Sequence, residues 1–382
     1  MTRVQAGGTV ARNGRARDRS TTVLLFPVLD FGGIESRAVI QAEGMAARGA
    51  NVRVCCFADD GSAASAIRAV GVPVDVIGTR PSVRNPRALW RLWRYLRAHE
   101  VAILHTVTGA MTVHGMLAGF FAGVPVRIVE EVGIPDRGPF GRVLFPFFYR
   151  LATCVIGVSD SVVTFLVEED GVEPRRARRV YNAIDSRFLE DYPRNADDTF
   201  RILTAGRLAP VKGHADLLHA LAPLLSRTEN VALSIAGEGS ERTSLEALVR
   251  ALGIERQVEF LGYRSDLPEL LAASQLFVLP SRMEGFGLAV VEAMAARVPV
   301  VATRVGGVPE VFPDWAQEWL VDPGDLQALG QAIERVRALG PAERDDMGSR
   351  LRDHAAYQFG PARYIAELDS LYRELADATH PR

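Results

Sequence analysis

The sequence predicts an α/β protein built from two doubly wound domains that face each other across a cleft. From residue 21 onward, short continuous apolar runs alternate with longer segments of helical periodicity. This alternation is typical of parallel strands covered by helices on both faces of a sheet. The apolar runs form two sets, separated by the polar, proline-containing stretch SRFLEDYPRNADDT at residues 186–199. We therefore predict a first domain at residues 21–190, a linker, and a second domain at residues 198–360.

The predicted strands are short and continuously apolar. In the first set they are TTVLLFPV, ANVRVCCF, VAILHTV, VRIVEEV and TCVIGVS, and in the second FRILTAG, VALSIAG, QVEFLG, QLFVLPS and VPVVAT. Both sets open with a strand, a loop that contains glycine, and a helix, in PVLDFGGIESRAVI and ILTAGRLAPVKGHADLL. Ligands of such sheets bind beyond the carboxyl ends of the strands, so we expect the function to lie in the loops there.

Composition and charge exclude several classes of protein. The chain has 382 residues, of which 48% are hydrophobic and 24% charged, which is enough for two cores. A net charge of −2 gives no general attraction to nucleic acid or anionic lipid, although residues 1–196 are net basic and the rest net acidic. The cysteines, Cys55, Cys56 and Cys154, lack the number and spacing of a disulfide framework or a zinc site. We interpret them as core residues in a reducing compartment.

The sequence also predicts where the protein is located. No apolar run reaches the roughly 18–20 residues that a transmembrane helix requires. The opening segment, MTRVQAGGTVARNGRARDRS, is rich in glycine and arginine and lacks the apolar stretch of a secretory signal. We predict a disordered tail at residues 1–20 and a cytoplasmic protein.

A single lysine marks the first informative loop. Lys212 is the only lysine in the chain, and it lies with Arg207 in TAGRLAPVKG, between a predicted strand and a helix. Two cations beside the free N–H groups of a helix N-terminus form a site for a phosphate or diphosphate. Lysine contributes a compact point charge and arginine a planar fork, so the pair could hold two linked phosphates. For Arg207 alone, an ordinary solvated loop is an equal alternative.

Two other nucleotide-binding motifs fit poorly. The P-loop of nucleoside triphosphatases requires glycine directly before a Lys-Ser/Thr pair, whereas Lys212 is followed by Gly-His. The segment AGEGSER contains Gly237 and Gly239, but Arg242 stands where a dinucleotide fingerprint requires a third glycine. A nicotinamide enzyme is therefore disfavoured.

The second informative loop is LPSRMEGFGLAVVEAMA, at residues 279–295. Glu284 is followed by a glycine-rich turn, and Glu292 lies about one turn into the predicted helix. Glycines let the backbone approach a ligand closely, and the helix start offers N–H groups to an anion. Glu292 could accept hydrogen bonds from sugar hydroxyls.

Two glutamates separated by seven residues around GFGLAVV resemble the E-x7-E signature of retaining glycosyltransferases of family 4, also called group 1. The resemblance extends from residue 21 onward through VLDFGGIES, VIGVSDSV, RVYNAID, GRLAPVKGH and VGGVPEV. Together these motifs are specific. The resemblance implies the GT-B fold, which has two Rossmann-like domains and a final helix that crosses back to the first domain, here within residues 362–378.

The resemblance also implies a donor site for a nucleotide sugar. It assigns Arg207 and Lys212 to the diphosphate and Glu292 to the ribose, while Glu284 and the turn after it face the donor sugar. The implied donor-binding residues are Gly32, Gly33, Arg207, Lys212, Gly262, Tyr263, Arg264, Glu284, Gly285, Phe286, Gly287, Leu288 and Glu292. The implied catalytic residues are Glu284, Arg207, Lys212 and His105.

No cofactor or metal ion is expected. The chain contains no D-x-D metal motif, and Lys212 would neutralise the leaving diphosphate, which is the work of a metal ion in many other transferases. In the family, the leaving phosphate takes the acceptor's proton on the same face of the sugar, and this retains the anomeric configuration. We therefore nominate no covalent nucleophile.

The acceptor side is less well defined. His105 falls where the family often has a histidine in the acceptor cleft, although a structural role is an equal alternative. Where the family often has a second histidine, this chain has Glu130 and Glu131. Glu131 could activate an acceptor hydroxyl, but a solvated or N-capping carboxylate is the favoured interpretation. A sugar, a lipid-linked molecule and a small metabolite all remain candidate acceptors.

Two basic segments suggest further partners. In RNPRALWRLWRYLRAHE, arginines recur at spacings of three and four beside two tryptophans, so residues 84–97 could contact an anionic membrane peripherally. An ordinary amphipathic surface helix is the favoured alternative. The segment RRARR at residues 175–179 lacks interleaved aromatic residues and is interpreted as a solvated loop, so no nucleic-acid partner is expected.

The function predicted by these motifs is retaining, metal-independent transfer of a hexose from a UDP- or GDP-sugar to a hydroxyl. One alternative is a sugar-nucleotide epimerase of the same fold, whose catalytic carboxylates and histidine would lie in the first-domain cleft. Another is a non-catalytic protein that binds sugar nucleotides. The presence of Arg207, Lys212, Glu284 and Glu292 together argues against loss of activity. The donor base, the acceptor and the oligomeric state stay open.

Overall fold

The computed structural model describes residues 21–29, 33–58, 60–61, 63–79, 85–134, 138–194 and 197–379. The predicted tail at residues 1–20 lies outside the described residues. Two parallel sheets and the helices that cover them make up this part of the chain. The α/β architecture predicted from the sequence is confirmed.

The first sheet has the strand order β3-β2-β1-β4-β5-β6-β7 within the described residues. Its strands are β1 (Thr21–Phe26), β2 (Asn51–Cys56), β3 (Val74–Val76), β4 (Val101–Val107), β5 (Val126–Glu131), β6 (Cys154–Gly157) and β7 (Ala177–Arg179). Its helices are α1 (Gly33–Ala47), α2 (Ala63–Ala69), α3 (Pro86–Ala98), α4 (Gly109–Ala122), α5 (Gly138–Leu151) and α6 (Asp160–Glu168). The direction of strand succession reverses between β1 and β4, where doubly wound folds place their clefts.

The second sheet has the order β10-β9-β8-β11-β12-β13. Its strands are β8 (Phe200–Ala205), β9 (Val231–Ala236), β10 (Val258–Gly262), β11 (Leu276–Leu279), β12 (Val300–Thr303) and β13 (Leu320–Val321). The helices that follow β8 are α7 (His214–Arg227), α8 (Arg242–Leu252), α9 (Leu267–Ala272), α10 (Leu288–Ala295), α11 (Val308–Val311), α12 (Leu326–Ala338), α13 (Pro341–Phe359) and α14 (Pro361–Thr379). Short 3₁₀ turns occupy Ser186–Leu189, Pro210–Lys212 and Asp314–Trp319.

Strand β1 shows why a continuous apolar run forms a central strand. All six of its residues are buried. Leu24 and Phe26 pack with α1 and α14 on one face, whereas Val23 and Leu25 pack with α3 and α4 on the other. Since successive side chains of a strand point to opposite faces, both faces of β1 must be apolar.

Three short edge strands were not predicted. β3 and β7 form the edges of the first sheet and β13 forms one edge of the second. The interpretation of RRARR as a solvated loop is wrong for residues 177–179, which pair with β6. An edge strand has one neighbour and one covered face, so it can form without a continuous apolar run. Arg178 and Arg179 therefore take part in a sheet although they are only partly buried.

Helix α14 connects the end of the chain to the first domain. Tyr364, Ile365, Leu368, Leu371 and Tyr372 are buried in the same cluster as residues of α1, β4 and β5. A side chain at Gly44 of α1 would place its Cβ 2.4 Å from Ile365 Cγ1, so the two helices pack with almost no space between them. The final helix therefore crosses from the second domain to the first, as the fold class requires.

Candidate functional site

Lys212 and Glu284 meet at the carboxyl edge of the second sheet. Lys212 ends the 3₁₀ turn after β8, and Glu284 lies in the loop after β11. Lys212 Nζ is 2.6 Å from Glu284 Oε1, and their side chains are 28% and 11% exposed. The hydroxyl of Ser281 donates a hydrogen bond of 2.7 Å to the same carboxylate oxygen. The two loops that the sequence singled out therefore form one site.

Further contacts fasten these loops to each other. Arg282 N donates to Val211 O at 2.8 Å, and the Arg282 guanidinium forms two hydrogen bonds of 2.7 and 2.8 Å with Asp216 at the start of α7. Thr303, at the end of β12, donates its hydroxyl to the carbonyl of Ser281. These bonds limit how far Lys212 and Glu284 can separate.

Gly213 allows the lysine loop to lie directly against the neighbouring strand. Its φ of +66° falls in the left-handed region that favours glycine. A Cβ at this position would lie 2.0 Å from Pro280 O, so there is no space for any side chain. This close approach brings Lys212 next to the loop after β11.

Two helix N-termini open at the same edge. α7 follows Gly213 and α10 begins at Leu288 after Gly287, and among the described residues no side chain caps either helix. The uncapped N–H groups and the positive ends of the helix dipoles can attract an anion. Arg207, in the loop before α7, is exposed and forms no ion pair within the described part of the chain. The site therefore combines two cations with two helix N-termini.

The aromatic side chain of the turn after Glu284 lies inside the protein. Phe286 is 3% exposed and packs between Tyr181 and Phe359, with ring centroids 5.7 and 5.5 Å away. The side chain of Phe286 is therefore an anchor, and only its backbone can contact a ligand.

Glu292 lies on α10, near the 3₁₀ turn that begins the linker. Burial and the nearby Asp185 carboxylate raise its pKa to about 8, although Arg187 acts in the opposite direction. Asp185 itself accepts hydrogen bonds of 3.0 Å from the backbone N and from Nε of Arg187. The sequence analysis found Glu292 but missed Asp185, because the two lie more than 100 residues apart along the chain.

Glycine loops after β8, β9 and β10 stack against each other. Gly206 N donates to Ala236 O at 3.0 Å, and Gly237 N donates to Gly262 O at 2.7 Å. A Cβ on Gly237 would lie 1.9 Å from Gly206 O, so the incomplete glycine pattern in AGEGSER serves loop packing. Tyr263 and Arg264 follow Gly262 and are exposed, and Arg264 Nε donates to Asp266 at 2.7 Å.

His214, the first residue of α7, lies behind Lys212. It is 3% exposed. Burial, together with the charge of Lys212, lowers its pKa to about 4. The imidazole is therefore neutral at physiological pH and adds no charge to the site. Its residue type gave no signal for this role in the sequence.

Two family models match adjoining parts of the chain. The model Glycosyltransferase Family 4 matches residues 31–188, and the model Glycosyl transferases group 1 matches residues 187–354. The N-acetyl-alpha-D-glucosaminyl L-malate synthase of Bacillus anthracis is 32% identical over 274 residues, which is 68% of this chain and 71% of that relative. The chain belongs to glycosyltransferase family 4.

Other relatives and structures are similar over different extents. The D-inositol 3-phosphate glycosyltransferase of Corynebacterium jeikeium is 36% identical over 184 residues, which is 46% of this chain and 43% of that relative. The crystal structure of Anabaena HepE in complex with UDP-glucose has a TM-score of 0.79 at 23% identity and covers 93% of this chain and 99% of HepE. Sucrose-phosphate synthase from Thermosynechococcus elongatus has a TM-score of 0.75 at 21% identity, with 94% of this chain and 100% of that structure covered. These structural similarities support the GT-B fold.

In this family 4 glycosyltransferase, His105 lies inside the first domain. Its side chain is 0% exposed, with Nε2 3.0 Å from Glu130 Oε2 and Nδ1 3.2 Å from Gln41 Nε2. Tyr372 of α14 contacts the same Nδ1 in an interaction of 2.5 Å. In this conformation the imidazole cannot touch an acceptor, and the position favours the structural alternative.

Glu130 is the charged centre of this buried network. Arg37 Nη1 donates to Glu130 Oε1 at 2.6 Å and to Asn182 Oδ1 at 2.8 Å. Burial raises the pKa of Glu130, but Arg37 and His105 together outweigh it, so its pKa lies below the ordinary value and the group is ionised. The pair of neighbouring glutamates in the sequence gave no indication of this partner.

Glu131 is buried as well, so the interpretation of a solvated carboxylate is wrong. It is 3% exposed and accepts a hydrogen bond of 2.9 Å from the hydroxyl of Tyr149 on α5. The side chain is held by the helix that follows its strand. The other first-domain residues of interest are less informative: Gly32 lies outside the described residues, and Gly33 begins α1.

Proposed function

We propose that this glycosyltransferase moves a hexose from a nucleoside diphosphate sugar to an acceptor hydroxyl, with retention of configuration and without a metal ion. The single observation that carries the proposal is the Lys212–Glu284 pair between two uncapped helix N-termini. A diphosphate that enters this edge meets Lys212, Arg207 and the N–H groups of α7 and α10. Such an arrangement supplies positive charge where negative charge develops during departure of the diphosphate.

The proposed transfer is a single displacement on one face of the sugar. The acceptor oxygen bonds to the anomeric carbon as the bond from that carbon to the β-phosphate oxygen breaks. The acceptor's proton passes to the departing phosphate oxygen, so charge balances without a covalent intermediate or a protein base. Lys212 and Arg207 stabilise the nucleoside diphosphate that leaves, and Glu284 orients the donor sugar.

The rest of the donor extends along the same edge of the second sheet. Glu292 binds the ribose hydroxyls, and the loop at Gly262, Tyr263 and Arg264 contacts the base. UDP-sugars are the first donors to test, because the HepE complexes contain UDP or UDP-glucose. The names of two relatives contain L-malate and D-inositol 3-phosphate, so small hydroxyl compounds are the first acceptors to screen.

The only lysine of the chain makes this proposal directly testable. A mild amine-specific acylating reagent can modify only Lys212 and the terminal α-amino group. Intact-mass and peptide analysis should show that a bound UDP- or GDP-sugar protects Lys212 by about tenfold while the terminus, as an internal control, reacts unchanged. The protection should persist in EDTA. Equal labelling with and without every donor, or protection that requires a divalent metal, would show that the proposal is wrong.

A matched pair of variants distinguishes a loss of donor binding from a general loss of stability. Lys212→Ala should remove the thermal stabilisation that the donor gives the wild type. Arg227→Ala is the control, because Arg227 forms an ion pair of 2.5 Å with Glu334 on the far side of α7 and loses only a partly exposed contact. Donor stabilisation that survives Lys212→Ala would contradict the role of the lysine.

We further propose peripheral contact with an anionic membrane through the first domain. Helices α3, α4 and α5 pack side by side and contain no aspartate or glutamate. They carry Arg87, Arg91, Arg94, Arg97, Arg142 and Arg150. Trp90, Phe121, Val143 and Phe147 are 52%, 65%, 81% and 51% exposed on these helices. Arginine with exposed aromatic and aliphatic side chains suits the interface of a bilayer, so this contact would extend beyond the predicted residues 84–97.

No helix among the described residues is both long and apolar enough to cross a membrane.

A further inference from the structure

The two domains meet at the base of the cleft through a compact set of contacts, here called the cleft floor. It consists of residues 132–133 and 159–161 of the first domain and Gly285, Gly307 and Glu310 of the second. Glu284 directly precedes Gly285, so the cleft floor adjoins the candidate donor site.

Glu310 caps a helix that belongs to the other domain. Its Oε2 accepts a hydrogen bond of 2.7 Å from Asp160 N, and its Oε1 accepts one of 2.9 Å from Ser161 N. The hydroxyl of Tyr181 lies 3.3 Å from Oε2. A carboxylate at these two N–H groups faces the positive end of the α6 dipole. The second domain therefore completes the N-terminus of a first-domain helix.

The hydroxyl of Ser159 forms two hydrogen bonds. Its Oγ accepts from Val162 N at 3.1 Å and so caps α6 within the first domain. The same hydroxyl donates a hydrogen bond of 2.6 Å to the carbonyl of Gly285. The start of α6 is thereby tied to the peptide that follows Glu284.

The backbones at the cleft floor are in close contact. A Cβ on Gly285 would lie 2.4 Å from Gly133 Cα, and a Cβ on Gly307 would lie 2.7 Å from Ser159 Cβ. There is no space for side chains or for a shifted register without separating the domains. The hydrogen bonds of Ser159 and Glu310 thus select one relative position of the two domains.

We propose that Ser159 and Glu310 are positioning residues, which hold the first domain in register with the Glu284 turn. This rests on the proposed function, in which the donor binds the second domain and the acceptor binds the first. Neither residue needs to touch the donor. Loss of either contact should therefore slow transfer between the domains while the donor still binds.

The kinetic test compares two glutamates with the same local chemistry. Glu310→Gln keeps the side chain's shape but removes its charge and one acceptor. Glu343→Gln is the control, because Glu343 accepts a hydrogen bond of 2.7 Å from Gly340 N at the start of α13, within the second domain. We expect Glu310→Gln to lower kcat by about tenfold or more, as for a small misplacement of reacting groups, with the donor Kd within about twofold. Glu343→Gln should leave both values near wild type. A parallel loss of kcat and donor affinity, or no change in kcat, overturns the proposal.

A second measurement does not depend on enzymatic activity. Amide hydrogen exchange at Asp160 and Ser161 should accelerate by about tenfold in Glu310→Gln, since one of the two N–H groups loses its acceptor and the other loses its charged partner across the cleft floor. Ser159→Ala should accelerate exchange there and at Val162, whereas loss of the α12 cap in Asp325→Ala should not.

Small-angle scattering should show a broader range of domain arrangements only in the Ser159 and Glu310 variants. Unchanged exchange and scattering would overturn the positioning role even if transfer is observed. Altered exchange without any transfer activity in the wild type would instead reject the proposed function alone.

Discussion

At the scale of single residues, the site consists of charges that restrain one another. Lys212 is paired with Glu284, and Ser281 holds the carboxylate in place. A diphosphate must compete with that carboxylate for the ammonium group. Under the proposed function, the pair lowers affinity for the leaving diphosphate, and this would assist its release after transfer.

Replacement of Glu284 should increase the affinity for a nucleoside diphosphate. In Glu284→Gln, Lys212 loses its anionic partner and the like charge next to the diphosphate disappears. We expect UDP or GDP to bind about fivefold more tightly, as for removal of about 1 kcal/mol of partly screened repulsion, while transfer slows. Calorimetric titration checks the affinity. Glu246→Gln is the control, because Glu246 pairs with Arg242 on the exposed face of α8 at 2.6 Å. Weaker nucleotide binding in Glu284→Gln would show that Glu284 supports the diphosphate instead.

The raised pKa of Glu292 predicts a dependence of stability on pH. In the unfolded chain this carboxyl group ionises near 4.5, but in the folded protein it ionises near 8. Between these values the unfolded state releases a proton that the folded state keeps, so folded-state stability falls as the pH rises from about 4.5 to 8. Glu292→Gln removes this penalty. Its melting temperature should exceed that of the wild type by roughly a few degrees at pH 8 and match it near pH 4.5.

Donor affinity should depend on pH in the opposite direction to stability. If the Glu292 carboxylate accepts hydrogen bonds from the ribose, wild-type affinity for the donor should increase as the pH rises toward 8, and Glu292→Gln should bind more weakly without that dependence. Thermal unfolding and donor titration at several pH values check both results. A melting difference that does not change with pH would show that Glu292 is ionised throughout.

The sequence revealed individual site residues where their type was unusual. Lys212 stood out because the chain otherwise uses arginine, and the two glutamates stood out by their spacing. The role of Asp185 and the burial of His105 could not be predicted, because each depends on a partner from a distant part of the chain. Ser281 contacts Glu284 only three residues further on, but a serine in a loop gives no signal of that contact. A histidine at a strand end has the same local sequence whether it faces a cleft or a core.

At the scale of elements, continuous apolar runs were sufficient to predict the central strands, since both of their faces are buried. The edge strands β3, β7 and β13 were not predicted, because a strand with only one covered face can form without a continuous apolar run. The arginine-rich helix α3 was recognised by its periodicity. Helices α4 and α5 extend this surface without acidic residues, and this could not be predicted because it depends on how the three helices pack side by side.

This surface leads to a prediction about vesicle binding. The double substitution Arg87→Gln and Arg94→Gln should weaken binding to vesicles that contain phosphatidylglycerol by about thirtyfold, since each arginine near an anionic surface contributes about 1 kcal/mol. The control pair is Arg335→Gln and Arg350→Gln, which lie over Trp319 and Trp315 in the second domain at 4.5 and 3.9 Å and resemble Arg94 over Trp90. Co-sedimentation checks both. Equal binding to neutral phosphatidylcholine vesicles, or equal loss in the control, would contradict membrane docking through α3 to α5.

At the scale of the whole molecule, the two domains share elements and cannot be treated as separate units. The sequence patterns predicted both sheets and the family resemblance implied the crossing helix, but the contacts that unite the domains join residues far apart in sequence. Helix α13 packs against α10 in the second domain, and α14 continues after Gly360 to complete the core of the first. Tyr372 also reaches the buried network around Glu130. Helix α14 therefore belongs to the core of the first domain, which also contains β1.

This shared core makes a prediction about unfolding. Leu368, on α14, is 0% exposed within the first-domain core, so Leu368→Ala should destabilise that domain by about 2–5 kcal/mol, as for other buried leucines. The four tryptophans allow the domains to be followed separately, since Trp90 and Trp93 lie in the first and Trp315 and Trp319 in the second. In a background with Trp315→Phe and Trp319→Phe, urea unfolding should show a lower midpoint for Leu368→Ala. Leu326→Ala, at a position that is 37% exposed in the second domain, is the control and should shift the midpoint little. A first-domain midpoint that is unaffected by Leu368→Ala would mean that α14 does not complete the core in solution.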